Sequence, residues 1–386
     1  MTGQAAAALL GCALAVGGWA PLAAETPGLP EHPYWERPIP LQGEAPPAPP
    51  GAEAIADLSA ASCGQCHPAQ WEAWRTSLHA AATSPGLLGQ LGNFDDGTQE
   101  DCLECHAPRQ EMLDRWWEQG PDSKRVRSGV DCASCHVRAH VRHGPRAIAE
   151  TPHGPVREQP LFRRAEFCAP CHQFDQTGLS VNGKPLENTY VEWRQSRYAR
   201  EGVTCQACHM PEKHHGFRGI HDPGITRCGL SVQGLRTRQG LRVRAGNTGA
   251  GHALPTYVTP RIRLRLEGVD GGPVREHVIA RKMRWSREEG WVELADDRLF
   301  PDQWVSVDLA IPPDRAGRIS VRVEPDYDYH ERVYPALLAM LADDLTEEER
   351  ALLERARKQS GRTAYLLYRM DCPGWNGHDE PCHETP

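Results

Sequence analysis

Five times in 386 residues the chain repeats Cys-x-x-Cys-His: CGQCH from Cys63, CLECH from Cys102, CASCH from Cys132, CAPCH from Cys168 and CQACH from Cys205. With 14 cysteines and 18 histidines available, chance predicts roughly 0.02 such matches. Two thiols at this spacing can add across the vinyl groups of a haem, and the imidazole that follows can take one axial site of its iron. The motifs therefore imply five copies of haem c. Their thioether residues are Cys63, Cys66, Cys102, Cys105, Cys132, Cys135, Cys168, Cys171, Cys205 and Cys208, and their proximal ligands are His67, His106, His136, His172 and His209. A zinc site wants two cysteine pairs for one ion and has no use for a histidine after each, and a disulfide framework ignores the histidines altogether.

Successive motifs lie only about 30 to 40 residues apart, too few to bury an apolar core around each. The cofactors themselves must be the core of this region. The formal charge is −8, and no basic footprint for nucleic acid is visible. A length of 386 residues leaves room for a second domain. The expected class is α+β multidomain: a haem-cored, mostly helical or irregular domain, then an antiparallel β-sandwich, then a C-terminal helical segment.

The expected boundaries follow composition. Residues 1–24 contain AAAALLGCALAVGGWAPLAA, an apolar run ending in small residues, and read as a signal peptide, although no Lys or Arg precedes it. Export suits the motifs, because haem c is attached outside the cytoplasm, so the expected location is periplasmic, extracellular or at the cell surface. An alternative for Leu9–Cys12 is a lipoprotein cleavage site with Cys12 as a lipid anchor. Residues 25–57 are dense in proline and read as an extended, poorly packed lead. Residues 58–226 carry the five motifs.

From 227 to 334 the pattern changes to runs such as GLSVQGL, GLRVRAGN, RIRLRLEGVDGG, VREHVIARKMRW, WVSVDLAIPPD and RISVRVEPD. Period-two alternation bounded by turn residues predicts six or so antiparallel strands in a sandwich. Residues 335–386 predict helices and a polar tail, with Thr346 and Glu349 spaced as a capping box. Cys228, Cys372 and Cys382 stand outside the motifs, and three pairings among them are open, a Cys372–Cys382 bridge being one.

A six-coordinate haem iron needs a second ligand, and five irons need up to five. His79, His140, His143 and His153 fall between motifs, His214, His215 and His221 cluster after the last, and His252 sits in NTGAGHALPT. His79 lies twelve residues beyond His67, about 18 Å if the path is helical, so it would cap a neighbouring iron rather than its own.

The segments CGQCHPAQWEAWRTSLHAAA, GVDCASCHVR, EFCAPCHQF, VEWRQSRYAREGVTCQACHMP, HHGFRGIHD and NTGAGHALPT resemble a family of exported multihaem cytochromes c. That family is related to the haem domains of hydroxylamine oxidoreductase and of the tetrahaem cytochrome that accepts its electrons. The resemblance covers most of residues 58–260. It implies His79, His153, His215, His221 and His252 as distal ligands, which leaves His140 and His143 as spare residues. Met210, directly after a proximal histidine, is expected to pack against its haem.

Two departures stand beside this. No tyrosine matches the one that crosslinks the catalytic haem of hydroxylamine oxidoreductase, and the Cys-x-x-Cys-Lys of pentahaem nitrite reductase is absent.

Irons capped on both sides exchange electrons and bind substrate poorly. The expected function is therefore electron transport in a respiratory chain or conductive assembly, between a quinol-side donor and a terminal reductase or extracellular acceptor, with self-assembly into filaments as a variant. No catalytic residue is assigned. The alternative is a reductase or oxidase of a small nitrogen or sulfur compound at one five-coordinate haem, with Tyr190, Tyr198, His140 and His143 as candidates for its polar lining. Haem as mere scaffold for an interaction module is the third reading.

Overall fold

The computed structural model describes residues 32–44, 57–124, 126–174, 179–286 and 289–385. The signal sequence and Cys12 lie outside the described residues. Mixed short helices and antiparallel sheets make up the chain, an α+β multidomain arrangement.

In the motif region each helix is brief and ends at its histidine. The helices run Ala60–Cys66, Asp96–His106, Cys132–His136, Ala169–His172 and Cys205–His209, with His67 as the cap after the first. Polar N-caps start three of them: Ser59, Asp95 and Asp131 each accept a hydrogen bond from a backbone N–H in the first turn. Apolar clusters are small here. The larger gathers Leu87, Leu88, Leu91, Leu103, Met112 and Trp116, and the smaller gathers Ala165, Ala169, Tyr190 and Val191. Neither would hold a domain of this size alone.

The β-domain has a conventional core. One sheet orders its strands 304–310, 240–247, 230–237 and 380–381, and the other 383–384, 365–372, 317–324, 261–268 and 274–279. In RIRLRLEG, strand 261–268, Ile262, Leu264 and Leu266 point inward and are fully buried while the arginines between them are not. They meet Leu241, Val243 and Ala245 from the facing sheet and Ile319, Val321 and Val323 from the neighbouring strand.

Three features differ from the sequence reading. The strands 281–286 and 290–296 form their own hairpin. The tail, read as polar and turn-rich, is woven into both sheets through 380–381 and 383–384, held there by the Cys372–Cys382 bridge that the sequence offered as one of three pairings. The helix Glu347–Ser360, opened by the Thr346 and Glu349 capping box, returns to the motif region, where Leu352 joins the cluster of Leu87 and Leu91.

The proline-rich lead is also packed where it is described, contrary to expectation. Tyr34 donates to the Cys135 carbonyl at 2.7 Å, Arg138 lies over its ring, and Arg37 donates to the Pro170 carbonyl at 2.7 Å. Aromatic and arginine side chains thus anchor a segment that proline alone would leave extended.

Candidate functional site

Four motif histidines face a second imidazole from elsewhere in the chain. The ring centres of His67 and His153 are 6.2 Å apart, those of His79 and His172 6.1 Å, of His136 and His215 6.2 Å, and of His209 and His252 6.2 Å. A metal–imidazole bond of about 2.1 Å, with roughly 1.1 Å from ring nitrogen to ring centre, puts two rings about 6.4 Å apart across one metal. The spacing therefore fits an iron between each pair.

Hydrogen bonding orients the rings consistently. Nδ1 lies 2.9 Å from the His143 carbonyl in His136, 2.5 Å from that of Arg218 in His209, 2.8 Å from that of Lys213 in His215 and 2.9 Å from that of Ala253 in His252. Nδ1 of His153 meets the Thr151 hydroxyl at 2.7 Å. Each ring donates from Nδ1, which leaves Nε2 as the nitrogen with a lone pair for a metal. His172 instead has the Glu187 carboxylate 4.0 Å from Nδ1. Burial drives the imidazolium form down, to about 3 in His79 and about 4 in His136, His172 and His252. Yet 50% of the His172 side chain is accessible.

The motif thiols lie close to one another. Cys63 lies within electrostatic reach of Cys132, Cys105 of Cys171, and Cys168 of Cys205. Cys135 is within electrostatic reach of Cys168 and Cys171. In space the first motif adjoins the third, the third adjoins the fourth, and the fourth adjoins both the second and the fifth.

His106 is built like the other motif histidines, with Nδ1 2.6 Å from the Ala82 carbonyl. Among the described residues, however, no imidazole stands opposite it at the bis-imidazole spacing. His221, expected to be a fifth distal ligand, is turned the other way: its Nε2 is 3.1 Å from Asp326 and its buried Nδ1 has no partner. Asp326 thus occupies Nε2, and Nδ1 is the nitrogen left with a free lone pair or proton.

The remaining candidates are accounted for separately. His140 places Nε2 3.1 Å from the Gly43 carbonyl, and His143 serves His136 through its backbone. Tyr198 donates to the Thr248 carbonyl at 2.8 Å, and Tyr190 belongs to the small cluster with Val191. Met210 caps the last motif helix. The sequence reading missed Glu187, which faces His172 and falls in no recognisable motif.

His252 ties the β-domain to the motifs. Asn247 donates to the carbonyls of His252 and Leu299, while the Ala253 N–H donates to Glu192, itself paired with Arg298 at 3.1 Å. Glu192 belongs to the helix Thr189–Gln195, so the pinned loop spans both parts.

Comparison with known proteins agrees with this chemistry. Residues 62–137, which include the first three motifs, match the family described as cytochrome c554 and c-prime. No curated protein sequence matches. A penta-heme cytochrome c552 from Thermochromatium tepidum is similar in fold, with a TM-score of 0.56 and 18% identity over 85% of this chain and 99% of that one. These findings support a multihaem cytochrome c.

Proposed function

We propose that the chain is an exported electron-transfer cytochrome carrying five covalently attached haems c, four of them capped by histidine on both faces. The observation that carries this is the set of four imidazole pairs at 6.1–6.2 Å. In this reading His67 works with His153, His79 with His172, His136 with His215, and His209 with His252. When bound, haem c supplies a one-electron iron couple. The chain's part is to fix the ring orientations through Nδ1, exclude water and hold the five sites in contact, first to third to fourth, with the second and fifth branching from the fourth. Its partners are a quinol-side donor and a terminal reductase or extracellular acceptor, met outside the cytoplasm.

A second reading, reduction or oxidation of a small nitrogen or sulfur compound at one iron, is favoured by a single observation: among the described residues no imidazole stands opposite His106 at the spacing of the other four pairs. The decisive test is a haem count by pyridine haemochrome on the purified protein, with a low-temperature electron paramagnetic resonance spectrum of its oxidised form. Five haems with at least four low-spin signals support the electron carrier. Fewer than four haems, or a predominantly high-spin spectrum, would overturn it.

A further inference from the structure

Of the four imidazoles that meet a motif histidine from elsewhere in the chain, three are oriented by a hydrogen bond. Nδ1 has the Thr151 hydroxyl at 2.7 Å in His153, the Lys213 carbonyl at 2.8 Å in His215 and the Ala253 carbonyl at 2.9 Å in His252. Among the described residues, neither ring nitrogen of His79 has such a partner. The His79 backbone is anchored, since its carbonyl accepts from the Val130 N–H at 2.9 Å and from the Ala82 N–H at 3.2 Å. Only the turn of the ring about its side-chain bonds lacks a polar restraint.

What meets that ring instead is Phe217. The ring centres of His79 and Phe217 are 4.3 Å apart with planes at 69°, an edge-to-face contact. The same phenyl ring stands 5.9 Å from His215 at 85°, so it lies between the second ligands proposed for the third and fourth motifs. The pair held without a hydrogen bond on its second ring is also the most twisted. The planes of His79 and His172 are 58° apart, against 38° for His67 and His153, 36° for His136 and His215, and 16° for His209 and His252. The backbone delivers the phenyl ring at a cost: φ of Phe217 is +44°, a left-handed conformation that bulky residues rarely take, while the nearby Gly216 and Gly219, which could take it freely, do not. Strain of this kind persists only where the surroundings over-determine it, and here both flanks are tied, by His215 to the Lys213 carbonyl and by His209 to the Arg218 carbonyl at 2.5 Å.

We propose that Phe217 is the positioning residue for His79, holding its imidazole crossed against that of His172 where the other three second ligands are set by hydrogen bonds. This deepens the electron-carrier reading above and rests on it. An apolar edge fixes the angle of a ring as a hydrogen bond does, but it leaves Nδ1 without an acceptor and keeps water from it. An imidazole so held is a less basic ligand than one that donates from Nδ1. Phe217 thereby sets both the geometry and the electron donation of one iron's ligand without touching the metal.

The test uses the holoprotein and its low-temperature electron paramagnetic resonance spectrum. The low-spin ferric signal of an iron between two imidazoles reports the angle between their planes: crossed rings give one large g value, and nearly aligned rings give a rhombic set. The oxidised parent is expected to show one signal of the crossed kind beside those of the aligned kind. Phe217→Asn removes the ring with a residue that accepts a left-handed backbone. It is expected to move that one signal to the aligned kind and to lower the midpoint potential of the same iron, as water reaches Nδ1 and makes the imidazole more basic. The signal of the iron at His215, touched by the same phenyl ring but fixed by the Lys213 carbonyl, is expected to stay. Phe217→Tyr retains the ring edge and is expected to keep the parent's signals.

A parent spectrum with no signal of the crossed kind would overturn the proposal before any variant is made, while leaving the electron carrier intact. A Phe217→Asn protein that keeps the crossed signal would also overturn it, since the anchored His79 backbone would then be enough to set the twist. So would a Phe217→Tyr protein that loses it. A haem count below four would instead remove the underlying reading.

Discussion

His209 and His252 stand 6.2 Å apart between ring centres with their planes only 16° from parallel, one ring from the last motif and the other from a loop of the β-sandwich. A single metal held between them would join the two parts of the molecule by coordination as well as by packing. His252→Ala is therefore expected to convert one low-spin signal to high-spin and to loosen the contact between the parts. Hydrogen exchange in the loop 248–256 should rise in the same variant. A spectrum identical to the parent's would take His252 out of the ligand set.

Glu192 sets the position of that loop. It accepts from the Ala253 N–H at 2.9 Å and pairs with Arg298 at 3.1 Å, and both side chains of the pair are buried. Burial holds its carboxyl above the usual range despite Arg298, so part of the pairing energy is spent on desolvation. Removing the side chain leaves the Ala253 amide without its acceptor while Arg298 keeps Asp296 at 2.8 Å and the Thr256 carbonyl at 3.1 Å, and Glu192→Ala is expected to cost about 1–3 kcal/mol. Glu192→Gln keeps an acceptor and relieves the desolvation, and about 1 kcal/mol is expected. Thermal melts of the two variants check this, and equal losses would show that charge, not the acceptor, holds the loop.

Much of the sandwich was legible because its strands bury one face. Alternation in RIRLRLEG and RISVRVEPD marks Ile262, Leu264, Leu266, Ile319, Val321 and Val323 as inward, and these are the fully buried residues. Strand 365–372, YLLYRMDC, was passed over because adjacent Leu366 and Leu367 break the period. Its register against 317–324 also shifts at Val321 and Arg322, and Leu366 is left exposed. Strand 290–296 pairs only with its hairpin neighbour and carries too little apolar signal to announce itself.

The candidate site divides in the same way. Covalent chemistry writes its residues at fixed spacing, so the motif cysteines and histidines can be read directly. Which second histidine meets which first is decided by tertiary folding: His153 reaches His67 and His215 reaches His136 across intervening motifs. Tyr190 and Tyr198 are engaged elsewhere.

Arg236 is the largest fully buried side chain in the β-domain core, with no exposed surface. Its guanidinium donates to the carbonyls of Pro373, Thr237, Pro312, Pro313 and Arg315. Every one of these hydrogen bonds goes to a carbonyl dipole, and the Asp314 carboxylate is near enough to favour the cation as well. Arg236→Met retains length and loses every donor, leaving several buried carbonyls unsatisfied. A loss of about 3–5 kcal/mol is expected. The cost should fall on the sandwich and the tail, with the haem spectra unchanged. A melting temperature within a degree or two of the parent's would mean that water replaces the guanidinium.

The final prediction concerns the lead. Arg37 donates from one Nη1 to the Pro170 carbonyl at 2.7 Å and to the Cys105 sulfur at 3.4 Å, so it clamps the second motif to the fourth. Two residues on, Ile39 is fully buried and its backbone brackets Arg109: the Ile39 N–H donates to Pro108 at 2.7 Å, and the Gln110 N–H donates back to Ile39 at 2.9 Å. The sulfur remains a weak acceptor as a thioether and the carbonyl bond is indifferent to haem attachment, so the clamp persists in the loaded protein. Arg37→Ala is expected to cost about 1–3 kcal/mol locally and to raise amide exchange at Ile39 and Gln110 while the sandwich amides keep their protection. Were Ile39 to stay as protected as in the parent, the apolar burial of its side chain, not the arginine, would be what fastens the lead to the motifs.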